Sequence, residues 1–354
     1  MVKVLSLFSG SLVNRVATRL VERHPDVGSV QLLHFRSPFS RECEELRQLV
    51  RSEWPRSTFR TQSIKKDYKD LIALTGGGGF SLPGSCRRCQ SLLLSRALRY
   101  MERIGADYMV TGLVPDRHGL SAEDMTELIR AEGLEGRVLT PHLKRRPLSI
   151  PSKVERWAMG PSDAAWSPNM ESSLHGLAEE LGLRTDDPAG SDCRCKLTTP
   201  GFGERVAALF HEEVVTLNAL CLLDFPMYMK ASPDLQIVLA FEENEKRELQ
   251  NYFLPEDLRV YPATPHGPMT LLRTNWETKT SAEKREIVEF VAKLTATYAC
   301  PQEGSTVPVY CRLESEDERQ LMNVEPYASV EELEKRSGLA FIPLELPVGG
   351  FVTA

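Results

Sequence analysis

Short apolar runs alternate with helix-period stretches through the first two hundred residues. Lys3–Phe8 (KVLSLF) is apolar enough for a strand buried on both faces, and it stops at Ser9-Gly10. Leu12, Val16, Leu20 and Val21 then recur at helical spacing and predict an amphipathic helix. Ser29–Phe35 (SVQLLHF) predicts a second strand, Arg41–Trp54 a helix with Leu46 and Leu49 on its apolar side, and Thr58–Ile64 a third strand. A glycine tract at Gly76–Gly79 and the pair Pro83-Gly84 interrupt the pattern before a helix over Gln90–Ile104. Asp107–Val114 (DYMVTGLV) reads as another buried strand. Strands alternating with helices at this spacing predict an α/β fold, a Rossmann-like doubly wound parallel sheet. Such sheets bind ligands at the carboxyl ends of their strands, where Ser9-Gly10, His34-Phe35 and Thr111-Gly112 all fall.

The texture changes near residues 185–205, where Asp186-Asp187-Pro188 and Thr199-Pro200-Gly201 are turn-rich and a short helix over Glu204–His211 closes the region. Beyond it, Leu235–Phe241 and Val307–Leu313 read as strands around a helix at Ser281–Tyr298, the mark of a smaller α+β module. The expected division is therefore a nucleotide-binding-type domain over 1–210 and an α+β domain over 211–354 with an acidic tail.

Composition adjusts this picture little. The chain has 354 residues, 42% hydrophobic and 26% charged, enough for two ordinary domains. A formal net charge of −6 supplies no global basic field and counts against a protein that holds nucleic acid by its whole surface. The clearest basic patch is Lys144-Arg145-Arg146 with Lys153 and Arg156, which suits either RNA phosphates or a solvated loop. No stretch approaches ~18 consecutive apolar residues, so no membrane contact and a cytoplasmic setting are expected. In that reducing setting the eight cysteines suit thiol, redox or metal chemistry rather than structural disulfides.

A strand, a tight turn of small residues and a helix N-terminus form a general device for holding phosphate, because backbone N–H groups and the helix dipole point at the anion. Ser9-Gly10-Ser11-Leu12-Val13-Asn14 occupies that position, although an ordinary βα turn looks the same by itself. The segments LFSGSLVNRVA, LLHFRSPF, CRRC, GADYMVTGLV, GLEGRVLTPH, LAEELGL and CKLTTPGF follow in order. Together they resemble the PP-loop ATP pyrophosphatases related to tRNA 4-thiouridine and 2-thiouridine synthetases, over roughly residues 1–210. The resemblance implies ATP with magnesium at Ser9, Gly10, Ser11 and Asn14, beside the strand end Thr111-Gly112, tRNA as partner, and adenylation followed by sulfur transfer; His34, at its own strand end, reads either as a nucleotide-pocket residue or as a hydrogen-bonded core histidine. The family's loop reads Ser-Gly-Gly-x-Asp-Ser. Here Ser11 replaces the second glycine, Val13 the aspartate that arranges metal and phosphates, and Asn14 the last serine. The polar stretch after DYMVTG keeps only Arg117 and Ser121, and a basic glycine-containing segment is missing near Trp166–Asn169. These departures oppose ordinary ATP turnover and leave a second reading, a pseudoenzyme acting as a binding or scaffold subunit.

Cys86-Arg-Arg-Cys89 is a C-x2-C at a helix entry, and Cys193-Arg-Cys195 lies in a turn-rich loop about a hundred residues later. Four sulfurs from two segments suit a tetrahedral structural zinc, and three or four suit a [4Fe-4S] cluster. Two unrelated thiol pairs have the same spacing. The resemblance implies that the C-x2-C and Cys195 converge on the active site, with Cys89 and Cys195 as the catalytic or sulfur-carrying pair. Cys43, Cys221, Cys300 and Cys311 sit in apolar contexts and read as packing residues. Finally, LQIVLAF with Glu242–Glu245, and His266-Gly267-Pro268 before an apolar strand, resemble the small RNA-binding-type domain of bacterial fibronectin-binding-like and ribosome-quality-control proteins, over about residues 235–313. RNA is the partner this implies. The carboxylates from Glu314 onward favour a protein partner instead.

Overall fold

The architecture follows from a computed structural model. It describes residues 1–40, 43–64, 67, 82–114, 120–141, 170–185, 195–198, 201–209, 216–231, 234–264, 267–299, 305–328, 332 and 340–341. Arg117, Lys144–Arg146, Lys153, Arg156, Trp166–Asn169, Cys193 and His266, singled out by the sequence, lie outside the described residues. By internal contacts the chain forms two compact units, Met1–Thr198 and Thr199–Ala354.

The first unit contains β1 (Val2–Leu7), α1 (Leu12–Glu22), β2 (Val27–Arg36), α2 (Cys43–Glu53), β3 (Thr58–Ser63), α3 (Leu82–Ile104), β4 (Tyr108–Val110), α4 (Ala122–Ala131), β5 (Val138–Leu139) and α5 (Met170–Glu180). The strands make a five-stranded sheet in the order β3-β2-β1-β4-β5, and every pairing is parallel. This is the doubly wound, Rossmann-like arrangement, with the order reversing at β1. Alternation along the strands sends Val4, Leu32, Val110 and Leu139 into a core shared with Leu12, Val13, Val16 and Val21 of α1, Leu46 and Val50 of α2, and Leu174 and Leu177 of α5. Deep in that layer Arg15 donates to both carboxylate oxygens of Glu53 and to the Arg184 carbonyl, pinning α1 to α2. α3 starts eight residues before the helical periodicity becomes legible, because proline is tolerated in a first helical turn and hides the start.

The second unit contains α6 (Phe202–Leu209), α7 (Leu217–Leu222), β6 (Met227–Ala231), β7 (Leu235–Ala240), α8 (Glu243–Gln250), β8 (Leu258–Pro262), β9 (Met269–Arg273), α9 (Ser281–Tyr298), β10 (Val307–Leu313), β11 (Gln320–Val324) and β12 (Ala340–Phe341). Its seven-stranded sheet has the order β11-β10-β8-β9-β7-β6-β12 and is antiparallel throughout. Ile237, Leu239, Val260, Leu272, Val309 and Cys311 form one inner face against Val291, Leu294 and Ala296 of α9. α6 falls in this unit rather than in the 1–210 segment expected from the turn-rich composition. Its buried Arg205 explains this, donating to the carbonyls of Leu223, Phe225 and Pro226 at 2.9, 2.5 and 2.7 Å. Cys311 is buried as expected, whereas Cys221 is only half-buried. Among the described residues no helix is long and apolar enough to cross a membrane.

Candidate functional site

The strand order reverses between β1 and β4, and the expected phosphate loop lies at their carboxyl ends, where sheets of this kind bind ligands. Gly10 has φ 81°, a left-handed conformation that a glycine adopts without strain. Ser11 is the N-cap of α1, and its Oγ accepts from the Asn14 N–H at 3.4 Å. No acidic residue stands in the first turn, so the positive end of the helix dipole is left uncancelled. Asn14 is buried, 1% exposed; its Oδ1 accepts from the Ser9 N–H at 3.2 Å and its Nδ2 donates to the Leu7 carbonyl at 2.9 Å. The Ser11 N–H turns to Ser9 Oγ at 3.3 Å, and the two hydroxyls sit 3.1 Å apart. Three N–H groups that a phosphate would use, those of Ser9, Ser11 and Asn14, therefore close on the loop's own side chains.

On the neighbouring strand, Thr111 and Gly112 follow β4. A Cβ on Gly112 would stand 2.7 Å from Asn14 Cβ and 2.9 Å from Asn14 N, so the two backbones meet with nothing between them. Thr111 is 1% exposed, and its buried Oγ1 has no hydrogen-bond partner among the described residues. His34, 8% exposed at the end of β2, donates through Nδ1 to the Phe8 carbonyl at 2.9 Å, which ties the ends of β1 and β2 together. The structure thus brings Ser9, Gly10, Ser11, Asn14, Thr111 and Gly112 to one place, with His34 behind them as a support. The donor chemistry fits an anion at a helix N-terminus. It does not fit magnesium: Ser9–Asn14 contains no carboxylate, and Val13, standing where the resembled family has aspartate, is a core residue with 1% exposure.

Cys86 and Cys89 lie one turn apart near the start of α3, the crossover that begins on the carboxyl side of the sheet. Cys195 forms an antiparallel bridge with Ser40, beyond β2, and the neighbouring Lys196 N–H donates to the Phe39 carbonyl at 2.8 Å. All three cysteines are half-buried. Topology sets them on the same rim, yet among the described residues no three His, Cys, Asp or Glu side chains gather as metal ligands. Arg87, between the two cysteines, is drawn to α4 instead, donating to Asp124 at 2.5 Å and to Glu127 at 3.0 Å. The Asp124 carboxyl is held below the usual carboxylate range by the Ser121 N–H first, then by the Ser121 hydroxyl and by Arg87.

A second set of residues, not singled out by the sequence, appears on the second unit's sheet. On the face of β8, β10 and β11 opposite α9, Arg259 pairs with Arg312 and Tyr261 with Tyr310 across the strands, and Tyr310 pairs with Leu321. The tyrosine rings lie 5.5 Å apart, and Arg319 stacks over Tyr310 at 4.3 Å. The sequence signal is a two-residue alternation, Arg259-Val260-Tyr261 and Tyr310-Cys311-Arg312. It is obscured because the polar-outward residues of any half-buried strand show the same pattern. Residues 228–335 match the family model of the NFACT protein RNA binding domain. All of the tyrosine–arginine face lies within that NFACT-type match. None of the curated proteins matches the chain. Among solved structures it is similar to the C-terminal part of the fibronectin/fibrinogen-binding protein from Streptococcus suis, at 11% identity over 76% of this chain and 96% of that one, with a TM-score of 0.26. It is also similar to a predicted subunit of tRNA methyltransferase from Methanocaldococcus jannaschii (13% identity, 52% and 89% covered, TM-score 0.28). A third is NMN synthetase from Francisella tularensis (14% identity, 60% and 88% covered, TM-score 0.26). At these TM-scores the likeness carries no argument, and the fold assignment rests on strand order and pairing.

Proposed function

We propose that this chain is an RNA-handling protein whose second unit holds the RNA and whose first unit is a nucleotide-type scaffold without ATP pyrophosphatase turnover. The observation that carries the first half is the match of residues 228–335 to an RNA-binding domain model. tRNA is the substrate class, on the strength of the resemblance of residues 1–210 to tRNA thiouridine synthetases. Three features support the second half: the self-closed loop at Ser9–Asn14, the direct contact of Gly112 with Asn14, and an apolar residue at Val13. Catalysis of adenylation needs charge stabilisation on the pyrophosphate as it leaves. The loop Ser9–Asn14 supplies a helix dipole and no carboxylate to place a metal.

The test is fluorescence anisotropy of labelled tRNA titrated with the full chain, beside an assay of pyrophosphate release from ATP with and without tRNA. Saturable tRNA binding with no pyrophosphate above background is expected. Absence of RNA binding at micromolar protein overturns the first half, and turnover lost in Asn14→Ala overturns the second. No step is routed through the zinc or [4Fe-4S] centre, of whose expected ligands Cys193 lies outside the described residues. Iron, sulfide and zinc per chain after anaerobic purification test that centre separately. Metal that is lost in both Cys89→Ser and Cys195→Ser would restore sulfur transfer to tRNA as the activity.

A further inference from the structure

The tyrosine–arginine face of the second unit has a composition that selects its guest. Tyr261 and Tyr310 are half-exposed neighbours on adjacent strands, their rings 5.5 Å apart and tilted by 39°. The exposed Arg319 has its guanidinium 4.3 Å from the Tyr310 ring, and Tyr261 first, then Tyr310, raises its pKa. One ring face of the pair therefore already carries a flat π-bearing guest, held from a loop end. Leu321, 52% exposed, extends the apolar surface on β11 beside Tyr310. Arg259 and Arg312 stand on the same face, but Glu314 accepts from both: from Arg259 at 2.6 and 3.2 Å, and from Arg312 at 3.4 Å.

We propose that Tyr261 and Tyr310, with Arg319 over them, form a stacking platform for unpaired bases of an RNA strand; this rests on the RNA-binding reading above. The charges decide what part of the RNA is read. Glu316, Asp317 and Glu318 are exposed on the turn that delivers Arg319, and Glu314 offsets one of the two paired arginines. A phosphate backbone laid along this turn meets four carboxylates against three guanidiniums. Base faces are neutral and meet only the rings, Leu321 and the planar guanidinium, so recognition runs through stacking rather than through phosphate charge. Double-stranded RNA keeps its base faces inside the helix and is excluded by the same argument.

The experiment titrates the full chain into a labelled oligoadenylate of about a dozen nucleotides and into an RNA hairpin duplex, by anisotropy at low and moderate salt. Expected results are binding of the single strand at least about tenfold tighter than the duplex, and a log–log salt slope no steeper than about 2. Tyr261→Ala with Tyr310→Ala is expected to weaken single-strand binding by about tenfold or more, with the salt slope unchanged. Tyr261→Phe with Tyr310→Phe keeps the rings and the affinity. Tyr261→Leu with Tyr310→Leu keeps apolar bulk without the π face and serves if the alanine variant melts early; it too must lose affinity. Single-strand binding unaffected by the alanine and leucine pairs, at unchanged melting temperature, overturns the platform and leaves the RNA-binding reading standing. A preference for duplex overturns the platform likewise. If the wild-type chain binds neither RNA nor tRNA, the platform falls together with the RNA-binding reading.

Discussion

Asn14 uses both ends of its amide inside the molecule, one on the Ser9 N–H and the other on the Leu7 carbonyl. Replacing it with alanine strands both partners in a buried turn, and each unsatisfied group costs about 1–3 kcal/mol. Asn14→Ala is therefore expected to lower the urea midpoint at unchanged slope. Gly112 stands against the Asn14 backbone, with a would-be Cβ 2.8 Å from Asn14 Cα. Gly112→Ala is expected to destabilise by about 1–3 kcal/mol through overpacking, since backbone yields less readily than a side chain end. The largest single-residue effect is expected at Glu53. Its side chain is 3% exposed beside an Arg15 side chain at 0%, so Glu53→Ala leaves an uncompensated buried guanidinium and costs about 3–5 kcal/mol. Denaturant melts of the three variants check these outcomes, and a Glu53→Ala loss below that of Gly112→Ala would contradict the argument.

Among the elements, α9 shows how local chemistry and packing combine. Thr280 caps it and Glu283 completes a capping box, the Thr280 Oγ1 accepting from the Glu283 N–H while the Glu283 carboxylate accepts from the Thr280 N–H at 2.7 Å. That N–H is the main cause, ahead of the Thr280 hydroxyl, of a Glu283 pKa below the ordinary glutamate value. A depressed carboxylate stabilises the folded state above its unfolded pKa of about 4.3 and loses that contribution as pH falls through the folded value. The melting temperature of Glu283→Gln should therefore lie below wild type at neutral pH and meet it in acid, once pH has fallen below the folded value. A gap that stays constant with pH would show that the carboxylate charge plays no part in the cap. On the inner face of β10, burial pushes the Cys311 thiol up to about 11. Its alkylation at neutral pH is expected to be slow and to follow unfolding, because thiolate is the reactive form.

For the whole molecule, the net charge of −6 and the acidic turn after β10 mean that, on the proposed RNA-binding reading, shape and stacking would contribute more than a basic field. Binding linkage offers a check on which unit has kept a ligand. RNA at a hundred times its dissociation constant should stabilise the binding unit by about 2.7 kcal/mol, while ATP with magnesium should leave the melting profile unmoved. Calorimetric scans with each ligand separate these outcomes. A shift with ATP and none with RNA would reverse the assignment of roles to the two units.

Much of the fold was legible in the residues themselves. The apolar runs at Lys3–Phe8, Ser29–Phe35 and Val307–Leu313 and the helical periodicity of Ser281–Tyr298 each reappear as elements with nearly the same bounds, because burying a face imposes a period of 2 or 3.6 that no later contact changes. The turn after β1 was legible too, as a strand–turn–helix with glycine where φ is positive. Tertiary structure alone decided that this loop closes on itself, since the partners of Asn14 depend on the β1–α1 backbone path and its close neighbour Gly112 arrives from β4, about a hundred residues away in sequence. It decided as well that α6 belongs with the second unit, through three carbonyls gathered around Arg205. And it paired Tyr261 with Tyr310, about fifty residues apart: strand alternation fixes which way a side chain points, but only strand register fixes what stands beside it.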